Sequence, residues 1–362
     1  MHPELFEIPF IHATVKSYGL AIVIGILAAI YIIRRLSDRI GTGPINKDYI
    51  TNGALYALIA GVVGSRIFYV LHHYNQFRGR LAEVFSIWQG GLELLGGVLL
   101  SIVVIFAYLL VLKLPVRRFL DILAIGIVLV LGFGRLGCLM NGCCFGQPSD
   151  APWAIRFPYA SIPYQSQVYP DMSRNRAQPH LDLPAEFYGM LVDGRWAGAQ
   201  ENSKFYGDLK PFKMLTPQQK EQVTAGPYRC LPVHPTQIYD SLNGFMLFAV
   251  LFTYWRFIGY GADGKRPRMA IGKPGCTFAL MFIIYGPMRF FIESLRDDNP
   301  FEIYSLTISQ LIGAGLFVFG VALFIAMAKM PPDDNMLGAA PVSKHRPRQD
   351  QPSPPKATRS AS

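Results

Sequence analysis

Charged side chains are scarce in this sequence. Only 16% of its 362 residues are Asp, Glu, Lys or Arg, against about 25% in ordinary soluble domains. Hydrophobic residues make up 51% of the chain, and they recur in runs of roughly the 20 residues that a helix needs to cross a bilayer. The composition excludes a string of soluble domains and predicts an all-α polytopic membrane protein.

The chain also lacks a basic leader, an internal repeat and any basic run interleaved with aromatic residues. Glu4 and Glu7 precede the first apolar run, which ends in Arg34 and Arg35 without a small-residue cleavage site, so a first transmembrane helix is favoured over a signal peptide. Without repeats, a transporter built from inverted halves is disfavoured. The net charge of +10 indicates cytoplasmic loops beside anionic lipid, and nucleic acid is not an expected partner.

The five cysteines have no regular spacing. Cys138, Cys143 and Cys144 do not match a zinc pattern, and His234 is distant in sequence, so neither a metal site nor a cofactor is predicted. A disulfide from Cys143 or Cys144 to Cys230 stays an open alternative, because an extracytoplasmic position would permit it.

Seven apolar segments are candidates for membrane spans. They cover about 17–36, 50–73, 94–113, 118–140, 236–257, 272–294 and 306–328. Three short loops on one side hold twelve basic residues: Arg34, Arg35, Arg39, Lys47, Lys113, Arg117, Arg118, Arg256, Lys265, Arg266, Arg268 and Lys273. The short segments on the other side hold four: Lys16, Arg78, Arg80 and Arg296. The positive-inside rule therefore predicts an outside N-terminus and a cytoplasmic C-terminus.

Two segments fall outside the spans. Residues 147–233, between the fourth and fifth spans, are rich in Pro, Tyr, Asp and Lys without a sustained helical period, which predicts a small irregular extracytoplasmic head. Residues 1–330 would then form one transmembrane domain that carries this head as an insertion. Residues 331–362 have the Pro/Ser/Lys composition of a disordered segment, so we expect a disordered cytoplasmic tail.

Polar side chains in five spans are expected at one depth, the outer leaflet boundary. They include Tyr18, Arg66, Arg135, Asn141, His234, Asp240, Arg289 and Glu293. An arginine within lipid costs roughly 2.5 to 3.5 kcal/mol and usually faces a protein interior or a wet cavity. Guanidinium groups stay charged and bind phosphate through paired hydrogen bonds, so three arginines at one leaflet predict a phospholipid headgroup as ligand. Plainer alternatives are a structural Arg289–Glu293 ion pair and an Arg66 that reaches up to the interface.

Five stretches, in order, resemble motifs of the bacterial prolipoprotein diacylglyceryl transferase family. GRLGCLMNGCCFG with the following QPSDAPWAIRFP resembles the family signature, and SYGLA, WQGGLELLGG, HPTQIYDS and YGPMRFFIESLRD resemble four other motifs. The resemblance implies an inner-membrane enzyme without a cofactor. Such an enzyme moves the diacylglyceryl group of phosphatidylglycerol onto the lipobox cysteine thiol of a preprolipoprotein, the first step of lipoprotein maturation, and leaves glycerol 1-phosphate.

The resemblance also implies roles for individual residues. Arg289, Glu293, His234 and Tyr18 would be catalytic, while Arg135, Asn141 and Gly142 would bind phosphatidylglycerol; Arg66 joins this second group because of its depth. Arg135 and Arg289 would hold the phosphate and stabilise the charge that develops on the leaving group. His234, Glu293 or Glu93 would help to deprotonate the acceptor thiol, because the thiolate is the nucleophile.

Three positions depart from the family pattern. Leu95 stands where the family has a histidine proposed as the general base, Cys138 replaces an asparagine, and Cys143 replaces a glutamate. Leucine cannot accept a proton, so another group must do so if the chain is active. These departures motivate an alternative, a catalytically inactive relative that binds lipid or lipoprotein. A transporter is a third alternative, disfavoured because a conduit needs polar groups across its whole depth.

Overall fold

The computed structural model describes residues 4–8, 13–37, 47–78, 81–86, 90–259 and 269–331. Nearly all of the predicted tail, 332–362, and several of the basic loop residues lie outside these ranges. The described residues form ten α-helices: α1 Ser17–Ser37, α2 Lys47–His72, α3 Tyr74–Phe77, α4 Leu94–Val111, α5 Val116–Asn141, α6 Ile162–Val168, α7 Pro217–Thr224, α8 Thr236–Phe257, α9 Cys276–Ser294 and α10 Ile308–Lys329.

Each predicted span coincides with one long helix, and the helix ends differ from the prediction by a few residues. Five of these helices, α1, α2, α5, α9 and α10, are long and apolar enough to cross a membrane. Helix α4 is very apolar but only 18 residues long. Helix α8 has 22 residues, yet its first turns carry Thr236, Gln237, Asp240 and Asn243. The chain is a mostly helical, polytopic membrane protein, and the count of seven spans stays a prediction.

Helix α5 lies at the centre of the bundle. It packs against α1, α8 and α9, while α2 pairs with α4 and α9 pairs with α10. Ile122, Ala124, Ile125 and Val128 of α5 have no exposed surface, since neighbouring helices cover most of its circumference. A helix covered in this way can hold polar side chains away from lipid, which matters for Arg135 near its end.

Paired glycines allow two close helix contacts. A Cβ atom added at Gly313 of α10 would lie 2.8 Å from the carbonyl oxygen of Gly286 in α9, and one added at Gly244 of α8 would lie 2.8 Å from Cα of Gly132 in α5. Small residues at such crossings let helix backbones approach closely in the membrane. The first contact sets the position of α9 directly before Arg289.

The opposite end of α9 is fixed by a buried carboxylate of α5. Asp121 accepts hydrogen bonds from the backbone N–H groups of Gly275, at 2.8 Å, and Phe278, at 2.9 Å. These groups belong to the first turn of α9, where N–H groups have no intrahelical partner and a negative charge is favourable. The carboxylate thereby fixes the start of α9 against the central helix.

The segment between α5 and α8 has an apolar core of its own. Its buried side chains include Phe145, Phe157, Tyr164, Phe187 and Tyr188. Beside helices α6 and α7 it contains a three-stranded antiparallel sheet in the order β4–β3–β5, with β3 Tyr188–Val192, β4 Arg195–Gly198 and β5 Asp208–Leu209. Near the N-terminus, β1 Glu4–Ile8 pairs with β2 Ala13–Lys16. The fold is therefore mostly helical rather than all-α.

The β3–β4 hairpin explains why strands form in a segment without an obvious period. Asp193 and Gly194 connect the strands with φ values of 48° and 75°, and Leu191 pairs with Trp196 across them. Two central residues with positive φ match the right-handed twist of a hairpin, and Asp-Gly is a preferred pair for such a turn.

We predict that Gly313→Leu destabilises the protein, whereas Gly315→Leu does not. The Gly313 side chain would meet the α9 backbone, while a Cβ atom at Gly315 meets nothing within 4 Å. Overpacking of this kind costs about 1–3 kcal/mol. Thermal unfolding of the detergent-solubilised variants measures the difference, and equal unfolding midpoints would contradict the glycine contact.

Candidate active site

A buried carboxylate joins three helices at the centre of the candidate site. Asp240, on α8, lies 3.2 Å from Nε of Arg135 on α5 and 3.5 Å from Nη1 of Arg289 on α9, both measured to Oδ2. Its side chain is 5% exposed, and those of Arg135 and Arg289 are 18% and 11% exposed. One negative charge therefore lies between two positive charges in a site that is nearly dry.

A second buried carboxylate, Glu293, continues this network. Its Oε2 lies 2.9 Å from Nη2 of Arg289 and 3.4 Å from Nη1 of Arg296. Its Oε1 accepts hydrogen bonds from Asn299 and, at 3.1 Å, from Oγ1 of Thr307. Glu293 has no exposed side-chain surface, so it fixes Arg289 rather than meeting solvent.

Arg296 has carboxylate partners of its own. It donates from Nε and Nη2 to the two oxygens of Asp298, at 2.9 and 2.8 Å. With Asp298 included, Arg135, Arg289 and Arg296 face three carboxylates, so this network carries no surplus of positive charge. The case for an anionic ligand depends instead on unused donors.

Two arginines keep donors without hydrogen bonds. Within the described residues, the guanidinium group of Arg135 has one ion-pair partner, Asp240, through Nε. Nη1 of Arg289 is buried and makes no hydrogen bond, while Nη2 donates to Oγ of Ser309 at 3.1 Å. Buried donors without acceptors are costly. An anion with several oxygens placed here would satisfy them.

The first turns of α8 hold the chain segment that follows α5. Thr236 and Gln237 donate to the carbonyl oxygens of Cys144, at 2.6 Å, and Cys143, at 2.8 Å. Ser241 donates to the carbonyl of Gly132 at 2.9 Å. Residues of the motif from His234 to Ser241 thus hold the 132–146 stretch beside Asp240 through hydrogen bonds to its backbone carbonyls.

The head is fixed to the end of α9 through another buried carboxylate. Asp297 lies 3.1 Å from Nε of Arg174 and 2.8 Å from Nη1 of Arg176. Arg174 also donates to the carbonyl of Arg296 at 2.9 Å. These contacts close the site on its head side and hold the loop that carries Asp298 and Asn299.

Burial alone would raise the pKa of Asp297, but hydrogen bonds from His180 and Arg176 and the charges of Arg176 and Arg174 outweigh it. The pKa of this carboxyl group is therefore held below its ordinary value of 3.8. The folded state favours the ionised carboxylate, so this interaction stabilises the protein fully above that ordinary value.

The structure brings Arg135, Arg289 and Glu293 together, and Tyr18, Asn141 and Gly142 lie at the same end of the bundle. Tyr18 is 40% exposed and packs on Gly137, two residues after Arg135 in α5. Gly142 ends α5 with a φ of 80°, a left-handed conformation that favours glycine. Asn141 precedes it and is exposed.

His234 lies at the start of α8 and not in the ion-pair network. Its Nδ1 is 3.2 Å from the hydroxyl of Tyr239, which accepts a hydrogen bond from Trp153 at 2.6 Å. Its backbone carbonyl accepts from Gly146 at 3.1 Å. The imidazole therefore lies at the edge of the site and belongs to a separate hydrogen-bonded chain that includes the head.

Arg66 has a different environment from the one that its depth suggests. Its guanidinium group donates to four backbone carbonyls, those of Glu83, Val84, Gly90 and Gly91, at 2.6 to 3.0 Å. All three of its nitrogens are thereby used to hold the loop between α3 and α4. The geometry favours a structural role, and binding of phosphatidylglycerol by Arg66 stays a prediction.

Glu93 and Leu95 lie at the start of α4, next to that loop. Glu93 pairs with Nδ1 of His72 at 2.7 Å, and the side chain of Leu95 is 60% exposed. Neither residue contacts the Asp240 network. Among the described residues at this end of α4, Glu93 is thus engaged with α2 rather than with the arginines of α5 and α9.

The cysteines are not bridged. All five are free, and the thiol of Cys230 lies in the head core, 3.4 Å from Oε1 of Gln167. The disulfide alternative from Cys143 or Cys144 to Cys230 is therefore not formed in this structure.

Several residues of the site were not among the predicted site residues. Asp240 and Ser309 contact the two arginines, Asn299 and Thr307 contact Glu293, and Asp298 pairs with Arg296. Asp240 carries a visible signal, since an ionisable residue inside an apolar segment is a functional candidate by default. The others come from the loop after α9 and from the start of α10.

Comparisons with known proteins agree with the motifs. The family described as prolipoprotein diacylglyceryl transferase matches residues 3–326. The chain is 25% identical over 324 residues to the phosphatidylglycerol–prolipoprotein diacylglyceryl transferase of Clostridium tetani, covering 90% of this chain and 97% of that protein. It is 26% identical over 318 residues to the enzyme of the same name from Corynebacterium efficiens, covering 87% and 78%.

We predict that Asp297→Asn loosens the head and lowers stability. Removal of one partner from a buried ion pair costs about 3–5 kcal/mol, because Arg174 and Arg176 stay buried without their counter-charge. Since the folded pKa is depressed, the advantage of the unsubstituted protein should be full above pH 3.8 and should shrink as the pH falls through the lower folded value.

Denaturant unfolding at several pH values measures this effect. Asp150→Asn is the matched control, because Asp150 is an exposed carboxylate of the same head segment. A stability difference that does not change with pH, or an equal loss in the control, would argue against the ion pair.

Proposed function

We infer that this chain, which belongs to the prolipoprotein diacylglyceryl transferase family, transfers the diacylglyceryl group of phosphatidylglycerol to the lipobox cysteine thiol of preprolipoproteins. The reaction would be the first step of lipoprotein maturation and would leave glycerol 1-phosphate. The observation that carries the proposal is the pair of largely buried arginines around Asp240: Arg135 pairs with it through Nε alone, and Nη1 of Arg289, 3.5 Å from the carboxylate, makes no hydrogen bond to a described residue.

A phosphate fits these donors. Arg135 and Arg289 approach Asp240 from two helices, and each keeps N–H groups for further acceptors. The phosphodiester of phosphatidylglycerol offers charged oxygens, and planar guanidinium groups bind such oxygens bidentately. Asp240 would hold both arginines in place before the lipid arrives, so that no reorganisation is needed when charge develops.

The chemistry requires a thiolate and a leaving phosphate. The acceptor sulfur attacks the glycerol carbon that carries the phosphate ester, an S–C bond forms, and the C–O bond breaks. The electron pair of that bond goes to the phosphate oxygen, where Arg135 and Arg289 stabilise it. Glu293 orients Arg289 through the 2.9 Å contact. His234 and Tyr18 are proposed to act at the edge of the site, and Asn141 and Gly142 on the lipid headgroup.

The polar site lies at one end of the bundle, and its position has consequences for orientation. Basic residues of the sequence concentrate at the opposite helix ends, which supports an outside N-terminus and a cytoplasmic C-terminus in the bacterial inner membrane. The site and the head would then face the outer leaflet, where a preprolipoprotein signal peptide presents its lipobox cysteine.

We predict that Arg135→Ala and Arg289→Ala abolish transfer to a lipobox peptide in phosphatidylglycerol vesicles. Loss of one donor to a developing oxyanion costs about 10²–10³ in rate. Arg135→Lys should keep the charge but lose the paired hydrogen bonds. Its transfer rate should therefore lie between those of the unsubstituted protein and Arg135→Ala. Mass spectrometry of the peptide measures the added diacylglyceryl group.

Arg256→Ala is the matched control. Arg256 is in the last turn of α8, sixteen residues and therefore about 24 Å along the helix from Asp240, and its loss should leave transfer unchanged. Full transfer by either alanine variant of the site would overturn the phosphate contact. Lipid binding without any transfer by the unsubstituted chain would favour the inactive relative.

A further inference from the structure

Three cysteines at the end of α5 form a cluster that the phosphate contacts do not use. The sulfur atoms of Cys138, Cys143 and Cys144, here called the three-thiol cluster, all lie within 4.8 Å of one another. Cys138 is buried, whereas Cys143 and Cys144 are half-buried. The cluster therefore has a closed wall on the helix side and an open side.

The backbone is built to hold these thiols together. Gly142 reverses the chain with a φ of 80°, and Cys144 adopts a left-handed φ of 60°. The N–H groups of Gly142 and Cys143 both donate to the carbonyl of Cys138, at 2.9 and 3.2 Å. This reversal folds the cysteine pair back over Cys138, which explains how an unfamiliar spacing yields a compact cluster. Gln237 and Thr236 then fix the two carbonyls.

We propose that the three-thiol cluster holds a zinc ion and leaves the fourth zinc position open for the thiol of the acceptor cysteine. Tetrahedral zinc with Zn–S bonds of about 2.3 Å separates its sulfur ligands by about 3.8 Å, and the three sulfur atoms here lie within 4.8 Å of one another. Among the described residues, no fourth His, Cys, Asp or Glu joins the group. Three protein ligands with one open position are typical of catalytic rather than structural zinc.

The surroundings of the cluster suit a thiolate-rich metal site. The carbonyls of Cys143 and Cys144 accept hydrogen bonds from Gln237 and Thr236 at the start of α8, and Asp240, about one turn further along this helix, pairs with Arg135. Zinc with four thiolates carries two negative charges, and the neighbouring guanidinium groups would offset them. The same proximity would place a metal-bound acceptor next to a phosphate held by Arg135. Tyr18 packs against Gly137, the neighbour of Cys138 in α5, which places this tyrosine at the same end of the helix as the cluster.

This inference rests on the proposed function, because it assigns the acceptor of that reaction. A thiol that coordinates zinc is deprotonated outright, and its proton leaves to solvent. The bound sulfur supplies the electron pair for the new S–C bond, and the C–O bond to phosphate breaks as described above. The thioether product is neutral and a weaker ligand, so zinc keeps its three thiolates. Zinc would thereby supply the deprotonated thiol, which Leu95, at the position of the family's proposed general base, cannot generate.

Metal content of the purified full-length protein tests the site itself. We expect about one zinc per chain by elemental analysis, and a sulfur-to-cobalt charge-transfer band after replacement of zinc by cobalt. The triple variant Cys138→Ser, Cys143→Ser, Cys144→Ser should lose both signals. Cys276→Ala should keep both, since its thiol is buried at the start of α9. No metal, equal metal in the triple variant, or a disulfide within the cluster would overturn the proposal.

The acceptor position has its own readout. A lipobox peptide should change the d–d spectrum of the cobalt protein, and the same peptide with serine for its cysteine should not. Removal of zinc by a chelator should lower transfer at least tenfold, and added zinc should restore it. Cobalt that does not respond to the thiol, or transfer that survives zinc removal, overturns the inference and leaves the proposed function intact. If the thiol binds but no diacylglyceryl group moves, the proposed function fails and the metal site stands.

Discussion

The carboxylate of Asp240 between Arg135 and Arg289 is the interaction on which the rest of the site depends. Three charges meet in a region that is almost closed to solvent, and two unneutralised arginines there would be too costly to bury. One carboxylate supports both side chains and joins α5, α8 and α9. It does not exhaust their hydrogen-bonding capacity. The same three side chains would therefore serve both the stability of the fold and the proposed binding of a phosphate.

The helices around this point are fixed by interactions that tolerate little change. Backbones touch at the glycine contacts of α9 with α10 and of α8 with α5. Asp121 fixes the start of α9, while Asp297 fixes the segment after its end to the head. Helix α9 is thus held at both ends, which positions Arg289 and Glu293 without help from a ligand. Preorganised donors of this kind are what electrostatic stabilisation of a leaving phosphate requires.

Much of the architecture could be predicted from apolar runs. All seven candidate segments are helices, because a long apolar segment satisfies its backbone hydrogen bonds internally in lipid. The sequence pattern does not predict the Asp193-Gly194 hairpin, although Asp-Gly is a strong turn signal, since the strands on either side are short. Arg135 and Arg289 can be singled out from the sequence because charge is rare in spans. Asp298, Asn299 and Thr307 cannot, because they approach the site from an irregular loop after α9 whose path the sequence does not predict.

Arg66 and the cysteines show two further limits of sequence reasoning. The predicted depth of Arg66 in the membrane is the one reason to group it with the other arginines. In the structure its guanidinium group donates instead to backbone carbonyls of one loop. Such carbonyl contacts leave no pattern in the sequence. The spacing of the cysteines does not predict the three-thiol cluster. The left-handed turn at Gly142 brings these residues together, and their spacing matches no familiar motif. The three departures from the family pattern would then form one set, in which a metal-bound acceptor replaces a missing base.

The proposed contact of Arg135 and Arg289 with the phosphate of phosphatidylglycerol can be measured directly. Solid-state NMR of the reconstituted protein, with ¹⁵N-labelled arginine and natural ³¹P in the lipid, detects that contact through the dipolar coupling between guanidinium nitrogen and phosphorus. We expect a coupling in phosphatidylglycerol bilayers that weakens in both Arg135→Lys and Arg289→Lys and persists in Arg256→Lys. A coupling that both site variants leave unchanged would contradict it.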